Sequence, residues 1–281
     1  MRDLNVVSAA SDVRKSDRSG IEASSLWIWG VPALLLIPVV ILLINDTNID
    51  VFLSLNRLSR MTGDRVWALL TVLADGLIAS VFFLPWIRRH PRRVGALMLA
   101  VVINTVLSHM VKQWLQIPRP PVVIQPEHFH LIGPSLSANA FPSGHASMIF
   151  ILAGLFALTE KRMWTRLLFL VGASCVALSR IVVGVHWPLD VLAGAAMGWL
   201  IAWAALSLSG PLKWIWTGWR LKVLGALLLL CCIALLFVDF TGYDVMTEQR
   251  IFALLIFFCG GMEYLKLYGI RLFGRKRPRS L

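Results

Sequence analysis

Acidic side chains are scarce in this chain: 15 Asp and Glu stand against 27 Lys and Arg in 281 residues, and charged residues of either sign make up only 15%. With 58% hydrophobic residues, that scarcity excludes an ordinary soluble domain and points to the membrane class. Cysteine is almost as sparse. Cys175, Cys231, Cys232 and Cys259 all fall in apolar runs without metal-ligand spacing, so they read as packing residues. A Gly-rich Walker loop is missing, as is any cluster of carboxylates suited to Mg²⁺. Together these absences favour chemistry without metal or nucleotide. No tandem repeat or soluble second domain is visible, and no cofactor is implied.

What is present is a series of apolar segments. About 20 apolar residues cross a bilayer, and on that measure spans are expected at 26–45, 66–87, 94–114, 143–159, 164–185, 188–208, 221–239 and 249–267. The expected fold is all-α, a polytopic membrane helical bundle. Residues 1–25 read as a polar cytoplasmic arm, because an apolar run starting only at Leu26 does not suit a cleaved signal peptide.

The net charge of +12 is placed in a way that argues for a membrane surface over nucleic acid. With both termini cytoplasmic, only seven of the 27 basic residues fall on the opposite side: Arg57, Arg60, Arg65, Lys112, Arg119, Arg180 and Arg250. That asymmetry follows the positive-inside rule and predicts an inner-membrane protein. The basic tail from Gly274 to Arg279 would then meet anionic headgroups.

Three polar clusters converge on the sparsely charged face, where charge next to hydrocarbon is costly and tends to be functional. The first is Lys112 with Arg119-Pro120, the second Phe141-Pro142-Ser143-Gly144-His145, and the third runs from Ser179-Arg180 through His186 to Asp190. Lys112, Arg119 and Arg180 supply three cations, a set that suits a multiply charged anion. Ser143 stands where an N-cap belongs, and Gly144 permits close approach of the backbone N–H groups that favour an anion. Pro188 suits the first turn of a helix, which brings Asp190 within one turn of His186 and lets the carboxylate hold the imidazole. His145 and His186 offer two imidazoles, one to attack and one to pass a proton. The combined chemistry is phosphoryl transfer.

Lys112-x6-Arg119-Pro120, Pro142-Ser143-Gly144-His145 and Ser179-Arg180-x5-His186-x3-Asp190 resemble the three-part signature of the type 2 phosphatidic acid phosphatase superfamily. The resemblance implies a six-helix catalytic core over residues 26–208, followed by two further transmembrane helices and a basic cytoplasmic tail over 209–281. It implies that His186 takes the phosphoryl group, that Asp190 orients it, and that His145 protonates the leaving oxygen. Lys112, Arg119, Ser143, Gly144 and Arg180 would bind phosphate oxygens. The seventh and eighth helices and the long segment 121–141 depart from the usual pattern and bear on the choice of substrate.

The expected activity is hydrolysis of a lipid-linked phosphate or pyrophosphate at the periplasmic face, with transfer of the phosphate to another lipid as the alternative. A non-enzymatic lipid carrier or scaffold is a more distant one. Other polar residues have plainer expectations. Asp75 is either an intramembrane functional charge or a structural hydrogen-bonding group. His109 reads as a satisfied bundle histidine, and Glu127, His128 and His130 as a solvated loop. Gly194 and Gly198 form a G-x-x-x-G pair for close helix packing.

Overall fold

The computed structural model describes residues 21–269. Residues 1–20 of the cytoplasmic arm expected over 1–25, and the basic tail beyond residue 269, lie outside the described residues. Among the described residues the structure is all helical, with no strand, and the chain is a multi-pass membrane protein. The long apolar helices are α1 (Ser25–Asn45), α6 (Pro91–Leu115), α9 (Met163–Val182), α10 (Pro188–Ser209) and α11 (Trp219–Phe237). Between α1 and α6 lie the short helices α2 (Asn48–Asn56), α3 (Leu58–Thr62), α4 (Asp64–Val72) and α5 (Gly76–Val81). The remaining helices are α7 (Pro120–Val123), α8 (Gly144–Ala157) and α12 (Met246–Lys266).

Local sequence explains the boundaries. Proline occupies the first turn of α6 and of α10, where its missing N–H costs nothing. Asp46 and Gln116 close α1 and α6 in the left-handed conformation. The expected second span is not one helix. α4 and the segment from Gly76 to Trp86 are bent by 58° at a short break. Asp75 caps the new start by accepting from the N–H groups of Leu77 (2.9 Å) and Ile78 (3.3 Å). Its role is therefore the structural one.

The centre of the bundle is α8. It has only 14 residues, too few to cross a bilayer, and all but three are buried. Protein surrounds it on all sides, so it needs no lipid-facing length. α10 packs against it through Gly194 and Gly198. A Cβ at Gly194 would lie 2.4 Å from the Ser143 carbonyl, and one at Gly198 only 2.1 Å from that of Ser147. Any larger residue would push the two helices apart. α1 and much of α11 present their apolar side chains outward, as lipid-facing helices do.

Two expectations of burial fail. His109 is exposed, on the outward stripe of α6 with Val102, Val106 and Met110, where periodicity turns it away from the bundle. Cys175 and Cys259 are likewise exposed, whereas Cys232 is buried as a packing residue would be.

α11 and α12 pair with each other and dock on the broken second span. Gly260 of α12 lies so close to Leu84 that a Cβ there would meet its side chain at 2.4 Å. α12 is 21 residues long but carries Glu248, Arg250, Glu263 and Lys266. These charges sit at its two ends, where water and partners are within reach.

Candidate active site

The candidate site lies where α6 ends, α8 begins and the α9–α10 turn reverses direction. His186 and Asp190 are 1% exposed. His186 Nδ1 is 3.2 Å from Asp190 Oδ2, and the same oxygen accepts from the Trp187 N–H at 2.9 Å. On the other side of the ring, Arg119 Nη1 stands 3.2 Å from His186 Nε2. A guanidinium has no acceptor, so Nε2 must be bare and accept. The proton of a neutral ring then sits on Nδ1 and is donated to Asp190. Two partners thus select one tautomer, with a lone pair on Nε2 directed into the site.

Arg119 is fixed from several directions. Its Nε donates to the Ala138 carbonyl at 2.8 Å, and Nη1 also reaches the Val185 carbonyl at 3.2 Å. The segment 121–141 is therefore an organised wall of the site. It is joined to the end of α9 by the Ile132 N–H donating to the Val183 carbonyl at 3.0 Å. Asn56 of α2 pins the same region. Its amide nitrogen donates to the carbonyls of His130 (2.7 Å) and Val182 (2.9 Å), and its oxygen accepts from the His130 N–H (2.8 Å). Gly184, at φ 88°, makes the turn that follows α9. A side chain there would strain the backbone and press on the His130 carbonyl. His130 also meets Asp64 at 2.7 Å on an exposed flank.

The α8 start behaves as its sequence suggests. Ser143 caps the helix, its Oγ accepting from the Ala146 N–H at 3.4 Å. Its own N–H donates to the Asp190 carbonyl at 3.0 Å, tying two of the three motifs together. Lys112 Nζ lies 4.0 Å from the position a Cβ would take on Gly144, so the ammonium stands over the helix start. His145 is half-buried in the first turn of α8, within electrostatic range of Lys112, Arg119 and Arg180.

Arg180 is 2% exposed. Its Nη1 donates to Thr71 Oγ1 and, at 3.1 Å, to the Tyr243 hydroxyl. Lys112, Arg119 and Arg180 make no ion pair with a carboxylate among the described residues. All eight residues expected from the three motifs are gathered around this one region. Asn56, Thr71 and Tyr243 were not expected; they are single polar residues in unrelated segments, and no local pattern marks them. Among the described residues, no three His, Cys, Asp or Glu side chains are grouped as metal ligands would be.

Two apolar cavities flank the site. One of about 350 Å³ includes Leu70, Ile149 and Val176. These residues adjoin Thr71, His145 and Arg180 by one position or one helical turn. The other, about 310 Å³, lies beside Trp187 and Leu189 and is walled by Ile49, Ile117 and Val123.

The arrangement is that of a helical membrane protein with a cationic, imidazole-containing site embedded at one end of its bundle. A model of the PAP2 superfamily matches residues 93–214. Bacitracin transport permease protein BcrC of Bacillus licheniformis is 34% identical over 176 residues, which cover 59% of this chain and 84% of that protein. An undecaprenyl-diphosphatase of Sulfolobus acidocaldarius is 34% identical over 128 residues, 44% of this chain, and the chain spans 61% of that relative's length. The crystal structure of Aquifex aeolicus LpxE matches with a TM-score of 0.53 at 27% identity, covering 57% of this chain and 94% of that one. The chain belongs to the PAP2 superfamily.

Proposed function

We propose that this protein is an integral membrane phosphatase acting on a lipid-linked phosphate or pyrophosphate. The observation that carries this reading is the bare Nε2 of His186, held by Asp190, beside three cations that have no carboxylate partner among the described residues. Such a cradle is complementary to a phosphoryl group and to the charge it carries in the transition state. The flanking apolar cavities suit a substrate whose tail remains in hydrocarbon.

In the first step Nε2 of His186 bonds to phosphorus while the bond from phosphorus to the lipid oxygen breaks. His145 gives its proton to that oxygen. In the second step water attacks the phosphohistidine, His145 takes a proton from the water, and inorganic phosphate leaves with His186 restored. Asp190 stabilises the ring while it carries positive charge. Lys112, Arg119, Arg180 and the Ser143-Gly144 backbone hold the three non-bridging oxygens. No step calls for a metal ion.

The catalytic unit is assigned to residues 26–208, with 209–281 appended to it, and the site to the periplasmic side of the inner membrane. The clustering of opposite chain segments supports that topology. Glu22, residues 88–93, 159–166, 206–209 and 263–266 meet at the end of the bundle away from the site.

The test is release of inorganic phosphate from a panel of lipid phosphates and pyrophosphates by the purified protein in detergent, with and without a second lipid as acceptor. Turnover that EDTA leaves within about twofold is expected. A loss of more than tenfold restored by Mg²⁺ would refute the metal-free cradle. Phosphate appearing on the second lipid would make the protein a transferase, and no turnover of any member would refute the reading altogether.

A further inference from the structure

Arg180 divides its guanidinium between the scaffold and the site. Nη1 carries two hydrogens, and both are accounted for by Thr71 Oγ1 and the Tyr243 hydroxyl. Nε is fully buried and has no acceptor among the described residues. Nη2 likewise makes no hydrogen bond to a described residue. Nε and Nη2 form the side of the guanidinium fork that matches two oxygens of a phosphate. A buried cation with that edge unmatched is costly unless an anion completes it.

Both hydroxyls that orient this fork come from outside the family match, Thr71 from before it and Tyr243 from beyond its end. Tyr243 belongs to the loop joining α11 and α12, beyond residue 214 where the match ends. It is 5% exposed. Its ring covers Gly133 of the 121–141 wall so closely that a Cβ there would lie 2.5 Å from it. The loop is braced as well. Asp239 Oδ1 accepts from the N–H groups of Thr241 (2.9 Å) and Gly242 (3.0 Å). Gln249 Nε2 donates to the carbonyls of Leu235 (2.8 Å) and Val238 (2.9 Å). The phenol is held by its ring and by its backbone, which leaves the hydroxyl a fixed acceptor for Arg180.

We infer that Tyr243 is a positioning residue of the phosphate site. It locks Nη1 of Arg180 so that the Nε and Nη2 edge faces the substrate, and it makes the C-terminal helix pair an integral part of that site. Thr71 supplies the second anchor from α4. This inference rests on the phosphatase reading above, and it gives the appended helices a task in catalysis.

Tyr243→Phe keeps the ring over Gly133 and removes only the hydroxyl. Because Arg180 then loses an acceptor, kcat/KM for a lipid phosphate is expected to fall about ten- to a hundredfold, the range for a hydrogen bond to a charged group. The inhibition constant of inorganic phosphate should rise in parallel, and melting in detergent should shift little. In an Arg180→Lys background, which has no fork to orient, the same change should cost less than about twofold. Glu248→Gln, in α12 of the same helix pair, breaks the surface ion pair with Arg65 of α4 and should leave kcat/KM and phosphate inhibition as they are.

A Tyr243→Phe protein with wild-type phosphate inhibition would overturn the inference. So would an effect equally large in the Arg180→Lys background, or an equal loss in Glu248→Gln. Wild-type protein that neither turns over lipid phosphates nor binds inorganic phosphate would instead overturn the phosphatase reading on which it stands.

Discussion

Arg88 and Arg180 sit at opposite ends of the helical bundle, one beside the end of α12 and the other beside its beginning. Arg88 Nε donates to Glu263 Oε2 at 2.8 Å, and Lys266 reaches the other oxygen of the same carboxylate at 2.6 Å. Arg92 donates to Ser209 at 2.8 Å and Arg166 to the Glu160 carbonyl at 2.8 Å. Glu160 itself is held below its ordinary range by the N–H groups of Lys161 and Arg162. His90, between the second span and α6, is pushed down to about 4 by burial and by Arg93 and Arg89, so it adds no charge near neutral pH.

At the other end Arg180 meets two hydroxyls, Arg119 meets carbonyls and an imidazole, and the nearby carboxylate of Asp190 serves His186. The comparison teaches how charge spent on structure differs from charge left open, which the proposed function assigns to a ligand. Cations satisfied inside the fold hold helices together. Cations oriented by neutral groups keep their charge available for a ligand.

The hardest way to break this comparison is to remove the proposed nucleophile. His186→Ala should lower turnover of every substrate by roughly 10⁴-fold or more, while melting of the purified protein changes little. Residual activity above a hundredth of wild type would place the attacking group elsewhere.

His145→Ala sharpens the picture of the cationic end. A lipid alkoxide needs a proton to leave and p-nitrophenolate hardly does. The loss should therefore be roughly 10²–10⁴-fold on lipid monophosphates and much smaller on p-nitrophenyl phosphate. Equal losses on both substrates would remove the general-acid role.

The smallest effect on rate belongs to the paired end. Glu263→Gln leaves Arg88 and Lys266 half-exposed and without their partner, which should cost about 1 kcal/mol of stability and leave kcat/KM unchanged. Detergent melting curves and steady-state kinetics on the same sample measure both. A tenfold drop in kcat/KM would mean that the two ends are coupled.

Much of the bundle is legible in the sequence. The start of α10 at Pro188, the cap at Ser143 and the contact of His186 with Asp190 are local, spanning no more than a helical turn. The close approach at Gly194 and Gly198 also announces itself, because small residues four apart leave one open stripe. The break in the second span was missed because apolar composition over 66–87 is compatible with one straight helix. Asp75 as a cap becomes visible only once the bend exists.

By itself, the sequence determined the class of the protein, the order of its apolar segments and the residue types of the candidate site, since each follows from composition, periodicity or short spacing. Only the tertiary structure decided how those residues are held. Asn56 reaches Val182 across 126 positions, and Arg180 reaches Thr71 across 109 and Tyr243 across 63. Contacts at such separations follow from how whole helices pack, and a lone polar residue carries no periodic signal of the partner it will meet.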